Sequence, residues 1–156
     1  MRNLDVVGIR IDAGTGAPVL LLRDEESGRF IPIWIGPGEA AAIASALEGV
    51  VPDRPMTHDL FATALVELGH PDVLVEILGV DDGVFYADLT IGEVTISARP
   101  SDAVALAVRL GASVVCPAEL VAEVGIELDE EAQDEVEAFK EFLDTVSADD
   151  FKDPNA

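Results

Sequence analysis

Two short segments of this chain set out the same residue types ahead of an apolar run. One is Arg54-Pro55-Met56-Thr57-His58-Asp59 and the other is Arg99-Pro100-Ser101-Asp102. Each carries an arginine, a proline, a hydroxyl and an aspartate at what reads as a helix start. A helix N-terminus offers unpaired N–H groups and a partial positive charge. A guanidinium beside it adds a planar, bidentate donor suited to phosphate or carboxylate. Arg54, Arg99, Thr57 and Ser101 are therefore the candidate phosphate-binding residues. A histidine changes charge near neutral pH and is a natural general acid or base, so His58, Asp59 and Asp102 are the candidate catalytic residues. Glu39 stands at a third helix start. With Asp59 and Asp102 it makes a candidate ligand set for a hard cation such as Mg2+ or Mn2+, which takes oxygen ligands.

Each residue also has a plain structural reading. Thr57 and Ser101 are good helix caps. The aspartates complement the helix dipole or pair with Arg99 and Arg54. Trp34 could be a stacking platform, although such a residue more often packs against a helix. Cys116, between Val115 and Pro117, reads as a small buried hydrophobe. No Gly-rich phosphate loop, serine-nucleophile elbow or zinc spacing is present in the sequence.

The elements that must position these groups follow from periodicity. Strands are expected over 6–11, 19–22 and 30–35, with Pro32 marking the third as an edge or a bulge. A helix opens at Gly36-Pro37-Gly38-Glu39 and buries Ala40, Ile43, Ala44 and Leu47. A second follows Arg54, capped by Thr57, with Leu60, Ala64, Leu65 and Leu68 on its apolar stripe. Residues 73–80, 84–91 and 94–98 read as a meander with turns at Asp82-Gly83 and Gly92-Glu93. Arg99 leaves the last of these strands on its polar side. A helix opens at Pro100, a short strand covers 113–116, and a short helix covers 117–124. Over 129–146, Val136, Phe139, Phe142, Leu143 and Val146 share one face of an acidic amphipathic helix that needs a surface to lie on. The expected fold class is α+β, a mostly antiparallel mixed sheet with helices packed against it plus this acidic C-terminal helix. The expected division is a domain over 1–126 and an acidic helix and tail over 127–156.

Bulk composition bounds the function. With 156 residues and 49% hydrophobic content, the chain suits one domain with a Val, Leu, Ile and Ala core. No apolar run approaches the roughly 18 residues of a membrane span, and the N-terminus does not read as a signal peptide, so no membrane partner is expected. A lone cysteine allows no internal disulfide, and a reducing cytoplasm is the expected location. The net charge is −22, with −10 of it on residues 127–156. Such a charge repels polyanions at long range and argues against generic, backbone-driven nucleic-acid binding.

A series of motifs in order carries a family resemblance. It runs through Pro32-Ile33-Trp34-Ile35-Gly36, Glu39-Ala40, Ala46-Leu47-Glu48-Gly49, Arg54-Pro55-Met56-Thr57-His58-Asp59-Leu60 and Gly83-Val84-Phe85-Tyr86-Ala87. It ends with Ala98-Arg99-Pro100-Ser101-Asp102-Ala103-Val104-Ala105-Leu106-Ala107. Over roughly residues 4–126 the chain resembles the bifunctional nuclease family, and its acidic tail resembles actinobacterial members. The resemblance implies an α+β fold, a homo-oligomer with a dimer favoured, and action on DNA and RNA. Metal-assisted phosphodiester hydrolysis is one functional expectation. A non-catalytic module that binds an anion or nucleotide and oligomerises is the alternative.

Overall fold

The apolar runs of the first third form an antiparallel meander of β1 (Arg2–Ile11), β2 (Pro18–Asp24) and β3 (Phe30–Trp34). This is a computed structural model, and it describes residues 1–128. Pro32 cannot donate to a ladder, and β3 is indeed an end strand of the sheet. A second meander comprises β4 (Val73–Asp81), β5 (Val84–Ile91) and β6 (Val94–Ala98). Its first turn places Asp82 at φ 52° and Gly83 at φ 77°, the double left-handed conformation of a two-residue hairpin turn.

The short strand β7 (Ser113–Cys116) joins the two meanders. It pairs antiparallel with β1 and parallel with β4. The result is a mixed, mostly antiparallel seven-stranded sheet in the order β3-β2-β1-β7-β4-β5-β6, as the α+β expectation requires. The acidic helix expected over 129–146, and with it all but the first two residues of the 127–156 segment, lies outside the described residues.

Among the described residues, four helices accompany the sheet. α1 (Pro37–Leu47) starts with Pro37 and buries Ala40, Ile43 and Ala44. α3 (Pro100–Leu110) is buried on nearly every side from Pro100 to Ala107, and Gly111 at φ 64° ends it in the left-handed conformation. α3 touches α1, α2 and strands β4, β5 and β7, so it is the hub on which the helix starts meet. α4 (Ala118–Val124) packs against β3 and β4. The core between helices and sheet includes the fully buried Ile9, Leu20, Leu22, Ile31, Ile43, Val75, Ile77, Leu89 and Val104. Each such side chain removed from water contributes about 1.5–3 kcal/mol.

α2 (Thr57–Glu67) departs from its expected stripe. Ala62 and Leu65 are buried, whereas Leu60 and Leu68 are 60% and 75% exposed. The reason is its neighbour: α2 leans on α3 rather than on the sheet, and one helix covers a narrower face than a sheet does.

Candidate functional site

The starts of α1, α2 and α3 come together, and a line of charged side chains runs across them. Asp102, at the third helical position of α3, accepts from two sides. The His58 Nε2–H approaches Oδ1 at 2.9 Å, and the Arg99 Nε–H donates to Oδ2 at 2.7 Å. The same guanidinium reaches Glu39 of α1, with Nη2 to Oε1 at 3.0 Å. The order is therefore His58, Asp102, Arg99, Glu39.

Local sequence explains each placement. Proline suits the first helical position, so Pro100 makes Arg99 the N-cap of α3 and sets Asp102 one turn along, in reach of its guanidinium. Glu39 reaches back over Gly36, the N-cap of α1, where a Cβ would collide with the Glu39 carboxylate. His58 is the second residue of α2 and projects to α3 across 44 positions of sequence.

Burial acts to raise the Asp102 pKa, but hydrogen bonds from Arg99 and His58, with their charges, hold it below the usual carboxylate range. An ionised carboxylate only accepts. A proton in the His58–Asp102 contact therefore sits on His58 Nε2, and in a neutral imidazole the lone pair is then on Nδ1. Asp102, followed by Glu39, also favours the charged form of Arg99. The Arg99 side chain is 66% exposed, so its remaining N–H donors meet solvent.

Asp59 belongs to a different arrangement. Its Oδ1 accepts from Arg109 Nε at 2.8 Å and its Oδ2 from the Met56 N–H at 3.0 Å. Arg109 further donates to the carbonyls of Ala105 and Ala42, at 2.8 and 3.1 Å. One guanidinium thus ties α2 and α1 to α3. The Arg109 hydrogen bond is the main reason that the Asp59 carboxyl sits below its usual range, against opposing burial.

Several expectations are corrected here. Asp59 pairs with Arg109, not with Arg54 or Arg99. Thr57 and Ser101 do not cap: the N-caps are Met56 and Arg99, and Ser101 is 6% exposed on the core side of α3. Nor do the two arginine-led starts bring their arginines to one hollow. A hollow of about 300 Å3 lies between α1 and α2, lined by Ala41, Ala42, Thr57 and His58 with Arg109. A second, of about 390 Å3, lies between the end of β3 and the start of α3, lined by Trp34, Gly36, Phe85 and Arg99. Arg54 is exposed, borders neither, and makes no ion pair among the described residues.

Glu39, Asp59 and Asp102 do not converge. Arg99 stands between the first and the last, Arg109 occupies the second, and among the described residues no three metal-ligating side chains gather. Arranged in this way, they do not fit the oxygen cage of a divalent cation.

Two further side chains deserve placing. Trp34 is not packed under a helix: it is 56% exposed, and its indole N–H donates to Asp12 Oδ2 at 2.9 Å. Cys116 is buried as expected, and burial pushes its thiol up to about 11, far from a reactive thiolate. Arg109 is the residue that sequence reasoning missed. A lone arginine closing the otherwise apolar run Ala103 to Val108 was the available signal, since a cation drawn into such a surface needs a partner.

Residues 20–129 match the family model described as the bifunctional nuclease domain. Two curated relatives are the uncharacterized proteins MT1877 and Rv1829 of Mycobacterium tuberculosis, from strains CDC 1551 and H37Rv. Each is 48% identical over 162 residues, covering 97% of this chain and 99% of its own length.

Proposed function

Because the chain belongs to the bifunctional nuclease domain family, we propose that it hydrolyses phosphodiester bonds of DNA and RNA where α1, α2 and α3 meet. The observation that carries this reading is His58 held by an ionised Asp102 whose other oxygen orients the exposed Arg99. Asp102 sets the imidazole tautomer, and Nδ1 takes a proton from an attacking water. The water oxygen bonds to phosphorus, the bond to the leaving oxygen breaks, and that oxygen takes a proton from solvent. Arg99 uses its outward N–H groups to bind the phosphate and offset the developing charge. Glu39 steadies Arg99 from the far side. Arg54 lies between Pro52 and Met56, both of which line the α1–α2 hollow, and is suited to meet a neighbouring phosphate.

The test is cleavage of single-stranded DNA and RNA by purified protein in Mg2+, Mn2+ and EDTA. His58→Ala and Asp102→Asn should remove cleavage while melting stays near that of the unaltered protein. Cleavage that survives both changes overturns the assignment. The net charge of −22 favours a second reading, a non-catalytic module that binds a mononucleotide or another small anion. A small anion meets less long-range repulsion than a polymer does. Binding of a mononucleotide with no cleavage under any condition would select it.

We further propose a homo-oligomer, as a dimer, formed through β6. The strand Val94-Thr95-Ile96-Ser97-Ala98 is an end strand without a charge or proline, and Val94 and Ile96 are 59% and 42% exposed. Such an edge is a template for pairing. Ile96→Lys should convert a dimer to a monomer in light scattering, and a monomeric parent protein would remove the proposal.

A further inference from the structure

The second hollow has an unusual wall. Trp34 is the single tryptophan of the chain and ends the edge strand β3. Most of an indole is apolar, and leaving it 56% exposed forgoes the burial that its neighbours Ile33 and Phe30 obtain. It is not loose, however. The bond from its N–H to Asp12, on the turn after β1, pins the ring by its edge. A tethered ring has lost rotamer freedom before any ligand arrives, which lowers the cost of binding. Beside it in the same hollow lie the ring of Phe85, Arg99, and Gly36, over which the Glu39 carboxylate folds back to pair with Arg99.

We propose that Trp34 is a stacking platform for one unpaired base of a single-stranded nucleic acid whose phosphate lies on Arg99. This rests on the nuclease reading of the Arg99–Asp102–His58 line and adds the strand state of the substrate to it. An aromatic face beside a guanidinium is the arrangement that holds single strands without regard to sequence, because every base has a π-face. It accepts DNA and RNA alike. A base inside a duplex has both faces covered by its neighbours, so a duplex cannot use the platform. The arrangement also suits a strongly acidic protein. Stacking is short-ranged and uncharged, so it needs no basic surface.

Because Trp34 is the only tryptophan, its fluorescence reports the platform directly. Titration with oligo(dT) should quench it saturably, and ribose 5-phosphate, which has no base, should not. Trp34→Leu should raise KM for a single-stranded oligonucleotide on the order of 5- to 150-fold. Trp34→Phe should recover part of the loss, and kcat should stay within about threefold in both. Cleavage of oligo(dT) without quenching, or an unchanged KM in Trp34→Leu, overturns the platform and leaves the nuclease reading standing. Quenching by oligo(dT) without hydrolysis keeps the platform and overturns the nuclease reading. Equal quenching by ribose 5-phosphate overturns the base contact.

Discussion

The starts of α2 and α3 share a residue vocabulary and differ in register. Both put an aspartate at the third helical position. In α3 the arginine is itself the N-cap, so Arg99 and Asp102 face each other across one turn. In α2 the N-cap is Met56, and Arg54 lies two residues ahead of it, out of register with Asp59. Asp59 therefore turns inward to Arg109 and to the Met56 N–H, while Arg54 is left to solvent. Two residues of offset separate an exposed arginine–aspartate pair from a lock between helices. His58 crosses from the lock to the exposed pair and joins them.

That comparison can be broken at several points. The largest expected effect is on the exposed side: His58→Ala or Asp102→Asn should lower the cleavage rate about 10²- to 10⁴-fold, the usual worth of a positioned acid–base group. The lock should respond in stability instead. Arg109→Leu strands Asp59 and frees the Ala42 and Ala105 carbonyls. It should cost about 2–3 kcal/mol in urea unfolding, somewhat below the ~3–5 kcal/mol of a fully buried pair because Asp59 is a quarter exposed. An Arg109→Leu loss no larger than that of Arg54→Ala would show that the two aspartates are equivalent after all.

Acid should sharpen the contrast. Asp59 and Asp102 are both held below their ordinary value of 3.8 in the folded protein. Protons then bind the unfolded chain more readily, so this contribution is full above 3.8 and is lost as the pH falls through the lower folded values. Urea midpoints measured down this range should fall less steeply in Arg109→Leu, where the main cause of the Asp59 shift is gone. Smaller again is the effect of salt. Raising ionic strength toward 0.15 M should increase kcat/KM on oligonucleotides, because screening weakens the repulsion of an acidic protein more than it weakens one contact at Arg99. A decrease would reveal a basic surface of the usual kind. Smallest is Arg54→Ala, which should shift stability by no more than about 0.5 kcal/mol.

Much of the architecture was legible in the residues alone. Apolar alternation and turn pairs such as Asp82-Gly83 depend on neighbours within a few positions, and so does Pro37 or Pro100 at a first helical turn. All of these elements appear where expected. Pro32 even marked the edge strand, since a missing N–H is a local fact with a topological consequence. The caps were less legible, because each helix begins before its hydroxyl residue, which leaves Thr57 and Ser101 at the first and second helical positions. The apolar stripe of α2 was misread because Leu60 and Leu68 are suitable for burial, and nothing local tells whether a helix or a sheet lies beneath.

The chain itself thus determined where its helices begin and which charged residues stand there. Only the tertiary structure decided the partners they meet beyond their own helix turn. His58 meets Asp102 across 44 positions, and Arg109 meets Asp59 across 50. Those distances are closed by α3 settling onto the sheet with α1 and α2 against it. A charged group takes whichever opposite charge the packed core leaves within reach, and that choice follows from the burial of Val104, Leu106 and their neighbours rather than from its own place in the sequence.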